Sequence, residues 1–452
     1  MAETLSALIK SCSDWLWGWP MVIILLGTHL FLTVRLRFPQ RKLFKAIRLS
    51  VQSDKSGQGD VSQFGALATA LAATIGTGNI VGVATAITLG GPGAVFWCWL
   101  TGVLGISTKY AEGLLAVKYR IRTPQGKMLG GPMYALERGM GMKWLAVLFC
   151  IFTVCASFGI GNLVQSNAIS MLCYETYRVP QALTGTAVAV CVALVVIFGV
   201  KGIARVCSAF VPLMAALYFL GCCYILWVNG GYVWDAVKLI VESAFRPEAA
   251  GGGFVGGSVI MTARYGIARG LFSNESGMGS APIVAAAAQT RNPVRQALVS
   301  STGTFWDTVV ICALTGLVLV SSILAYPDIS YADGPALTKV AFDKIPYLGA
   351  PLLTFGIVTF AFSTILGWCY YGEKAIEYLL GSKAIIPYRW AFIISVGLGA
   401  SMKLDLVWTL SDIFNALMAF PNLIGLIMLT PVVKAETLAY LRSLKKEPAS
   451  EG

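Results

Sequence analysis

The sequence predicts an all-α polytopic membrane protein with about eleven transmembrane helices. These are one N-terminal helix and a core of ten, arranged as two inverted halves of five with two broken helices. Three observations lead to this prediction: the chain is 56% apolar and only 12% charged, its polar residues lie in short patches between long apolar runs, and two of those runs contain glycine-rich interruptions. A soluble protein is about a quarter charged, whereas about twenty apolar residues cross a hydrocarbon core ~30 Å thick. These numbers exclude an ordinary soluble protein.

Each long apolar run is interpreted as one membrane span. The first run is followed by basic residues and not by a small-residue cleavage site, so we interpret it as a membrane helix and not as a cleaved signal peptide. The predicted spans are 16–36, 62–88, 91–117, 144–172, 181–199, 204–228, 254–289, 296–325, 348–372, 388–403 and 405–432.

The placement of basic residues predicts the orientation of the chain. Most of the 34 Lys and Arg residues fall in alternate loops, which is the asymmetry expected when those loops face the cytoplasm. The N-terminus is then outside and the C-terminus inside the cell. The net charge of +12 therefore reflects topology, and we expect no nucleic-acid partner. The basic loops are 35–61, 118–143, 199–205, 291–295, 373–389 and the tail after 432.

No hydrophilic stretch is long enough to form a separate soluble domain. We divide the chain into an N-terminal helix with a basic cytoplasmic segment (1–61), a core (62–432) and a cytoplasmic tail (433–452). The core consists of repeats at about 62–228 and 254–432. Because each half has five spans, an odd number, the second half must enter the membrane upside down relative to the first.

Two spans are interrupted at corresponding positions of the two halves. The second span contains Gly-Thr-Gly-Asn at 76–79, and the seventh contains Gly-Met-Gly-Ser at 277–280. Lipid provides no hydrogen bonds, so unwound backbone is tolerated at this depth only where it lines a cavity or binds something. Paired breaks of this kind indicate the binding site of a secondary transporter. Free N–H groups at a break favour a carboxylate, and free carbonyls favour a small cation.

Other function classes lack their characteristic motifs. The sequence has no His-Glu-x-x-His, no Cys-x-x-Cys and a single histidine, His29, which we expect to be packed in the first span. The missing motifs argue against a membrane-embedded enzyme or sensor. We therefore predict that the protein is not an enzyme and has no organic cofactor. A channel is an alternative that the sequence leaves open. The oligomeric state is also open, and a monomer is compatible with the sequence; the lipid bilayer is an expected partner.

Four long motifs resemble the alanine or glycine:cation symporter family (sodium:alanine symporters) of bacteria and archaea. The resemblance covers nearly the whole chain. It implies a symporter that imports alanine or glycine with Na⁺ by alternating access, in the plasma membrane of a prokaryote. Coupling to H⁺, or another amino acid such as glutamine, is the alternative within the same fold. The motifs are GALATALAATIGTGN (65–79), ISTKYAEGLLAVKYR (106–120), ARGLFSNESGMGSAPI (268–283) and DIFNALMAFPNLI (412–424).

The resemblance also implies a substrate site at the two breaks. The N–H groups of Thr77, Gly78 and Asn79 would bind the substrate carboxylate, and Thr364 would border both the substrate and the ion. The residues of the second break that would face this pocket are Phe272, as an apolar wall, Ser273 and Asn274.

The same resemblance implies a sodium site next to the first break. The carbonyl oxygens of Ala72 and Ile75 would bind Na⁺ together with the hydroxyls of Ser363 and Thr364. Packing by small polar residues is the alternative role for the two hydroxyls.

Two further side chains are candidates for the pocket wall. Gln165 is either a substrate contact or a structural hydrogen-bond partner. By its resemblance to the family, Trp368 would close the pocket beside Phe272. Two large aromatic side chains would favour glycine, alanine or serine over bulky amino acids.

Ionisable residues inside spans are candidates for coupling or gating, because a charge at the bilayer centre is costly. Asp307 is a cation ligand or a gate partner, or it forms a buried pair with Arg264 or Arg269. Glu275 either caps a half-helix or ties the two breaks together. Glu112 lies three residues after a lysine, with which it would pair.

Overall fold

The structure is a computed structural model, and it confirms the all-α prediction, because 83% of the chain is helical. The residues that it describes are 2–52, 54, 57–246, 258–402 and 405–446. Parts of three predicted segments lie outside the described residues, namely 254–257 of the seventh span, 403 of the tenth span and 447–452 of the tail.

The helices of the described residues up to 246 include those of the first six predicted spans, one in the basic segment after the first span, and three at 2–16, 132–134 and 230–245 that lie outside both, apart from residue 16. These helices are α1 (Ala2–Leu16), α2 (Trp19–Arg35), α3 (Leu43–Val51), α4 (Gln63–Thr74), α5 (Val83–Gly90), α6 (Ala94–Lys118), α7 (Pro132–Tyr134), α8 (Lys143–Phe158), α9 (Val164–Tyr177), α10 (Gln181–Val196), α11 (Gly199–Val228) and α12 (Gly230–Phe245). Short π-helical turns, Gly78–Gly82 and Gly159–Leu163, precede α5 and join α8 to α9.

Helices also coincide with the described parts of the other five predicted spans. They are α13 (Val259–Asn274), α14 (Ala281–Ala285), α15 (Pro293–Thr304), α16 (Ala313–Ala325), α17 (Leu337–Phe342), α18 (Gly349–Leu380), α19 (Ile385–Gly399), α20 (Asp405–Met428) and α21 (Thr430–Lys446). A π-helical segment, Phe305–Cys312, joins α15 to α16.

Not every predicted span meets the length and hydropathy that a membrane crossing requires. In the described residues, 6 helices do so, and a seventh span results if the bent pair at 63–74 and 78–90 counts as one. The helix α10 is apolar but short, with 16 residues, and α6 carries Lys109 and Glu112 in its second half. The number eleven therefore stays a prediction, whereas a multi-pass membrane protein is confirmed.

The helices pack in two groups. In the first group α6 contacts α13 and α15, and α4 contacts α15; α8, α9, α10, α18 and α19 form the second group, and α4 also contacts α18 of that group. Counterparts of the two halves pair with each other: α6 with α15, α8 and α9 with α18, and α10 with α19. The contact of α11 with α18 is matched by that of α20 with α8. This matched pattern is what an inverted repeat produces.

Within the first group, α6 lies very close to α15 and to the π-helical segment that follows it. A Cβ atom added at Gly113 would lie 2.9 Å from the Ser300 Cβ atom, and one at Gly102 would lie 2.8 Å from a methyl carbon of Thr308. Small residues allow such close packing in membranes. The two helices are therefore closely packed against each other.

The loop at 118–143 was not predicted to contain strands, but it does. Its strands β1 (Ile121–Arg122) and β2 (Met128–Leu129) form an antiparallel hairpin. Next to this hairpin, Arg120 donates four hydrogen bonds of 2.8–3.0 Å to the main-chain carbonyls of Gln58, Ala286, Ala288 and Thr290. Arg120 thereby joins the segment before α4 to the segment after α14.

Candidate functional site

The first break lies where the sequence predicts it, between α4 and the π-helical turn before α5. The two half-helices meet at 54°. The Gly76 N–H donates to Asn79 Oδ1 over 2.9 Å, and the Asn79 N–H donates to the Gly76 carbonyl over 3.2 Å. Thr77 and Gly78 begin the second half-helix, where N–H groups have no acceptor in the helix itself. Their N–H groups are therefore the donors that this break offers to an anion.

The four predicted sodium ligands lie together at the end of α4. The Thr364 hydroxyl is 3.1 Å from the Ala72 carbonyl oxygen and 3.5 Å from that of Ile75. The Ser363 hydroxyl is 3.2 Å from the same Ala72 oxygen. All four residues are buried. Hydroxyl and carbonyl oxygens are hard ligands of the kind that Na⁺ accepts, and each hydroxyl keeps lone pairs for an ion while its proton points elsewhere.

Close packing brings α18 to this position. A Cβ atom added at Gly367 would lie 2.7 Å from the Ala73 Cβ atom, and one at Gly76 would lie 2.8 Å from Thr364 Oγ1. Larger side chains at these two glycines would separate the hydroxyls from the carbonyls.

Gln165 and Phe272 border the same break from two sides. Gln165 Oε1 accepts from the Thr77 hydroxyl over 3.5 Å, and its Nε2 donates to the Ile160 carbonyl over 3.1 Å. A Cβ atom at Gly78 would contact the Phe272 ring at 3.5 Å. Thr77, Gly78, Gln165 and Phe272 are thus brought together, as expected.

Phe272 separates the break from a cavity of about 110 Å³. On the cavity side its ring packs edge-on against Trp17, with centroids 6.0 Å apart, and the Arg269 guanidinium lies over it at 6.0 Å. The cavity also contacts Asp412. Phe272 is therefore the wall between the break and this cavity.

Trp368 is fully buried. It packs on Gly161, where an added Cβ atom would lie 2.2 Å from the Trp368 Cβ atom, and edge-on against Tyr371. The described ring contacts pair Trp368 with Tyr371 and Phe272 with Trp17, and the expected place of Trp368 beside Phe272 stays a prediction.

Three residues expected in the pocket are engaged inside the protein instead. Asn79 Nδ2 donates to Asp307 Oδ1 over 2.7 Å, and the Ser273 and Thr308 hydroxyls donate to Asp307 Oδ2 over 2.9 and 2.6 Å. The Asn274 side chain accepts from the main chain two residues later, within the second break. Asp307 is fully buried and connects the first break to the end of α13.

The alternative of an ion pair between Asp307 and an arginine is wrong. Arg264 donates to the main-chain oxygen of Asp14 over 3.3 Å, and Arg269 lies over Phe272. The carboxylate is bound by an amide and two hydroxyls, because these are the polar groups that the neighbouring helices bring to its depth.

The second break is closed by a carboxylate of the protein itself. Gly277 and Gly279 have φ values of 90° and 86°, in the left-handed region that glycine favours. Their N–H groups both donate to Glu112 Oε1 over 3.1 Å, and Asn422 Nδ2 donates to the same atom over 2.8 Å. Glu112 does not pair with Lys109, whose ammonium donates to the Glu275 main-chain oxygen over 3.3 Å; that expectation is wrong.

Glu275 bonds to the residue before the short helix that follows the second break, and its two expected roles, capping a half-helix or tying the breaks together, stay predictions. Its carboxylate accepts from the Ser280 hydroxyl over 2.5 Å, and Ser280 precedes α14 directly. Glu275 itself has a positive φ of 51°, so it forms the turn at which α13 ends.

The two breaks therefore differ in what their N–H groups bind. Glu112 fills the second break, whereas among the described hydrogen bonds no carboxylate accepts from the N–H groups of Thr77 and Gly78 at the first break, where the Thr77 hydroxyl contacts Gln165 and Gly78 lies against Phe272. Sequence reasoning missed the role of Glu112, because a lysine three residues earlier offered a simpler partner. The position of Glu112 in its half could have indicated this role. Glu112 lies on α6 and Asp307 lies on the counterpart segment of the other half, and each side chain binds residues of a break.

The profile of the sodium:alanine symporter family matches residues 2–451 of the chain. An uncharacterized transporter of Haemophilus influenzae is 52% identical over 447 residues, covering 98% of this chain and 97% of the relative. The sodium/alanine symporter AgcS of Methanococcus maripaludis is 47% identical over 449 residues and 98% of both chains. A probable sodium/glutamine symporter, GlnT of Bacillus subtilis, is 34% identical over 456 residues, covering 99% of this chain and 94% of the relative.

Solved structures with a similar fold are membrane transporters. A manganese transporter of Eremococcus coleocola superposes with a TM-score of 0.56 over 83% of both chains, at 12% identity. A Na⁺-coupled sialic acid symporter in a substrate-bound outward-open state superposes with a TM-score of 0.55, at 14% identity, over 92% of this chain and 87% of the other. At such identities the likeness concerns the fold alone.

Proposed function

The chain belongs to the sodium:alanine symporter family, and on that premise we propose that it imports alanine or glycine together with Na⁺ by alternating access. Family membership makes it a multi-pass membrane symporter of amino acids and not an enzyme. Sodium is the coupling ion that the family supports. The identity of the amino acid and the residues that bind it are the parts we propose.

One observation carries this proposal: a single helix break presents groups for both ligands. The carbonyls of Ala72 and Ile75 face the Ser363 and Thr364 hydroxyls, and the N–H groups of the next two residues begin the second half-helix. Na⁺ binds the first set and the substrate carboxylate binds the second. Ligands that share one structural element stabilise the same conformations, which is the condition for coupled transport.

The pocket that we propose for the substrate is bordered by Thr77, Gly78, Gln165 and Phe272. We assign the carboxylate to the N–H groups of Thr77 and Gly78, and the ammonium to the Gln165 side-chain oxygen. Asn79, Ser273 and Asn274 hold the two breaks in shape instead of contacting the substrate. The Phe272 ring limits the room for a side chain, which favours alanine or glycine.

Sodium supplies enough free energy for concentrative uptake. One Na⁺ that moves down ~100 mV releases about 2.3 kcal/mol, and a tenfold sodium gradient adds about 1.4 kcal/mol. Together these support roughly several-hundredfold accumulation of one zwitterion. We place the protein in the plasma membrane of a prokaryote, with the N-terminus outside and the C-terminus in the cytoplasm, as a monomer.

Glutamine is the alternative substrate. It is favoured by the similarity to a probable sodium/glutamine symporter and by the cavity of about 110 Å³ behind Phe272, which a longer side chain would enter if the ring rotated. The proton is the alternative ion, because Asp307, Glu275 and Glu112 are carboxylates buried inside the protein, as is Lys109. Uptake that depends on a pH gradient and is lost when one of these acids is neutralised would favour H⁺.

A ligand panel tests substrate and ion together. The purified protein is heated with each amino acid in Na⁺ or K⁺ buffer, because only a ligand that binds the folded state raises its stability. Alanine or glycine should raise the melting temperature in Na⁺ and not in K⁺. A shift by glutamine alone, or an equal shift in K⁺, would contradict the proposal.

A substitution in α18 tests the sodium site. Thr364→Ala removes one oxygen ligand, so the Na⁺ concentration for half-maximal alanine uptake into proteoliposomes should rise by about tenfold, in line with a loss of roughly 1.4 kcal/mol. The order of preference among amino acids should persist. The matched control is Thr359→Ala, because that hydroxyl donates to carbonyls of its own helix. Uptake by Thr364→Ala that keeps the Na⁺ dependence of the control would refute the assignment.

A further inference from the structure

A cleft runs along the seam between α4 and α11, on the side of α4 that bears the Ile75 side chain. Its deeper part has a volume of about 300 Å³. Water in such a cavity would find almost no hydrogen-bond partners, so the space suits an apolar occupant. The residues of the two helices that line it are Phe64, Leu67, Ala68, Leu71, Ile75, Val211, Pro212 and Ala215, and α3 adds Ile47, Ser50 and Val51.

The mouth of the cleft is polar and basic. A second cavity of about 260 Å³ lies against the preceding turns of the same helices, between Ser62 and Gly65 of the α4 N-terminus and Lys201 and Arg205 of α11. Both basic side chains are exposed, and neither forms an ion pair within 4.0 Å in the described part of the chain. The acidic residue at the mouth, Asp60, accepts from the Met128 N–H over 3.0 Å.

The two cavities are successive parts of one cleft. On α11 the lining positions 201, 205, 208, 212 and 215 recur every three or four residues, so they share one face of the helix. At 1.5 Å per residue, Arg205 and Ala215 are separated by about 15 Å along the axis. A molecule that fills the cleft has an anionic end and an apolar body of at least this length.

The cleft opens toward lipid. Leu213, next to it on α11, is 53% exposed. The amphipathic helix α3 covers the end near the mouth, where it exposes Phe44 (86%) and Val51 (73%) beside the basic Lys45 and Arg48. Such a helix lies in the membrane interface with its apolar side chains in the headgroup region. A phospholipid reaches the cleft from the bilayer without crossing water.

We propose that this cleft binds one anionic phospholipid, with its phosphate on Lys201 and Arg205 and one acyl chain along Leu71, Ile75 and Pro212. Charge and shape both select this occupant: two exposed, unpaired cations stand at the mouth, and an apolar channel follows. A zwitterionic amino acid has no acyl chain to fill the channel.

The bound lipid contacts the back of the first break. Ile75 lines the cleft with its side chain, while its carbonyl oxygen faces Thr364 at 3.5 Å. The acyl chain also lies against both α4 and α11, which contact each other and each contact α18. Occupancy therefore stabilises the packing of α4 on α11. This consequence for transport rests on the proposed function, whereas the binding itself does not.

Lipid binding is measured on delipidated protein in detergent by native mass spectrometry. Phosphatidylglycerol and phosphatidylcholine with the same acyl chains are titrated separately. One phosphatidylglycerol should bind tightly. The substitutions Lys201→Gln and Arg205→Gln together should weaken it about 30-fold, or about fivefold for each basic side chain near the surface. Arg122→Gln with Lys383→Gln is the matched control, since both side chains are exposed on basic loops elsewhere.

The apolar part is tested by filling it. Ala215→Phe places a ring in the cleft, whereas Ala216→Phe places the same ring on the exposed neighbouring position. Only the first should abolish tight binding. The proposal would be overturned by equal affinity for the two lipids or by displacement of phosphatidylglycerol by inorganic phosphate. It would also be overturned if only the charge variant, or only the filling variant, weakened phosphatidylglycerol binding. Because the readout is binding, it is independent of whether alanine is transported.

Discussion

The carboxylate of Asp307 accepts three hydrogen bonds, one from the Asn79 amide and two from hydroxyls, and none of these groups reaches water. Asp307→Ala leaves three buried donors without their acceptor, at about 1–3 kcal/mol each. We expect the free energy of unfolding to fall by about 4–6 kcal/mol. Asp307→Asn keeps a carbonyl oxygen for Asn79, while its NH₂ group donates to hydroxyls that rotate to accept. It should cost about half as much.

A double-mutant cycle isolates the hydrogen bond between Asp307 and Asn79. Asp307→Ala, Asn79→Ala and the double variant are unfolded in mixed micelles by a denaturing detergent, and helix content is followed by circular dichroism. A hydrogen bond to a charged group predicts a coupling energy of about 1.5–3 kcal/mol. Asp235→Ala, on the exposed face of α12, should change stability by less than about 0.5 kcal/mol. Coupling below about 0.5 kcal/mol, the usual limit of additivity, would refute the view that Asp307 holds the first break.

Two further predictions concern glycines with different surroundings and the hydrogen bonds of Arg120. Gly161→Ala should lower the free energy of unfolding by about 1–3 kcal/mol, because the added methyl group overlaps Trp368. Gly27 lies inside α2 with open space around it, so Gly27→Ala should raise the free energy of unfolding by about 0.4–1 kcal/mol. A lower free energy of unfolding for Gly27→Ala would show that close packing does not explain the difference between the two substitutions. Arg120→Gln should lower the thermal stability because four carbonyls lose a charged donor, and Arg120→Lys should restore only part of it, since an ammonium lacks the planar fork. Full restoration by lysine would contradict the geometry.

The positions of the helices and of both breaks follow from the sequence, because lipid forces the backbone to satisfy its own hydrogen bonds. A run of apolar residues must then be helical, and a Gly-x-Gly inside it must be an interruption with a purpose. The four sodium-site candidates lie together in the structure, and their role as sodium ligands stays a prediction. Each of the two hydroxyls is also within hydrogen-bond distance of the Phe360 carbonyl in its own helix.

Partners of single polar side chains did not follow from the sequence. The main-chain N–H of Asn79 was assigned to the substrate carboxylate, but it donates to the Gly76 carbonyl over 3.2 Å, and the Asn79 side chain bridges Gly76 and Asp307. Glu112 was paired with Lys109 at helical spacing, yet its carboxylate points across the interface to the second break. Local spacing shows which groups lie on one helix face. It does not show which face of a distant helix lies opposite, and that depends on how the two halves interlock.

The carboxylate of Glu112 in the second break bears on how many molecules move in one cycle. The two breaks lie at corresponding places in the two halves, and each offers main-chain N–H groups to an acid group. At the second break those of Gly277 and Gly279 already bind a carboxylate of the protein itself. On the proposed assignment of the substrate to the first break, we expect each turnover to carry one amino acid.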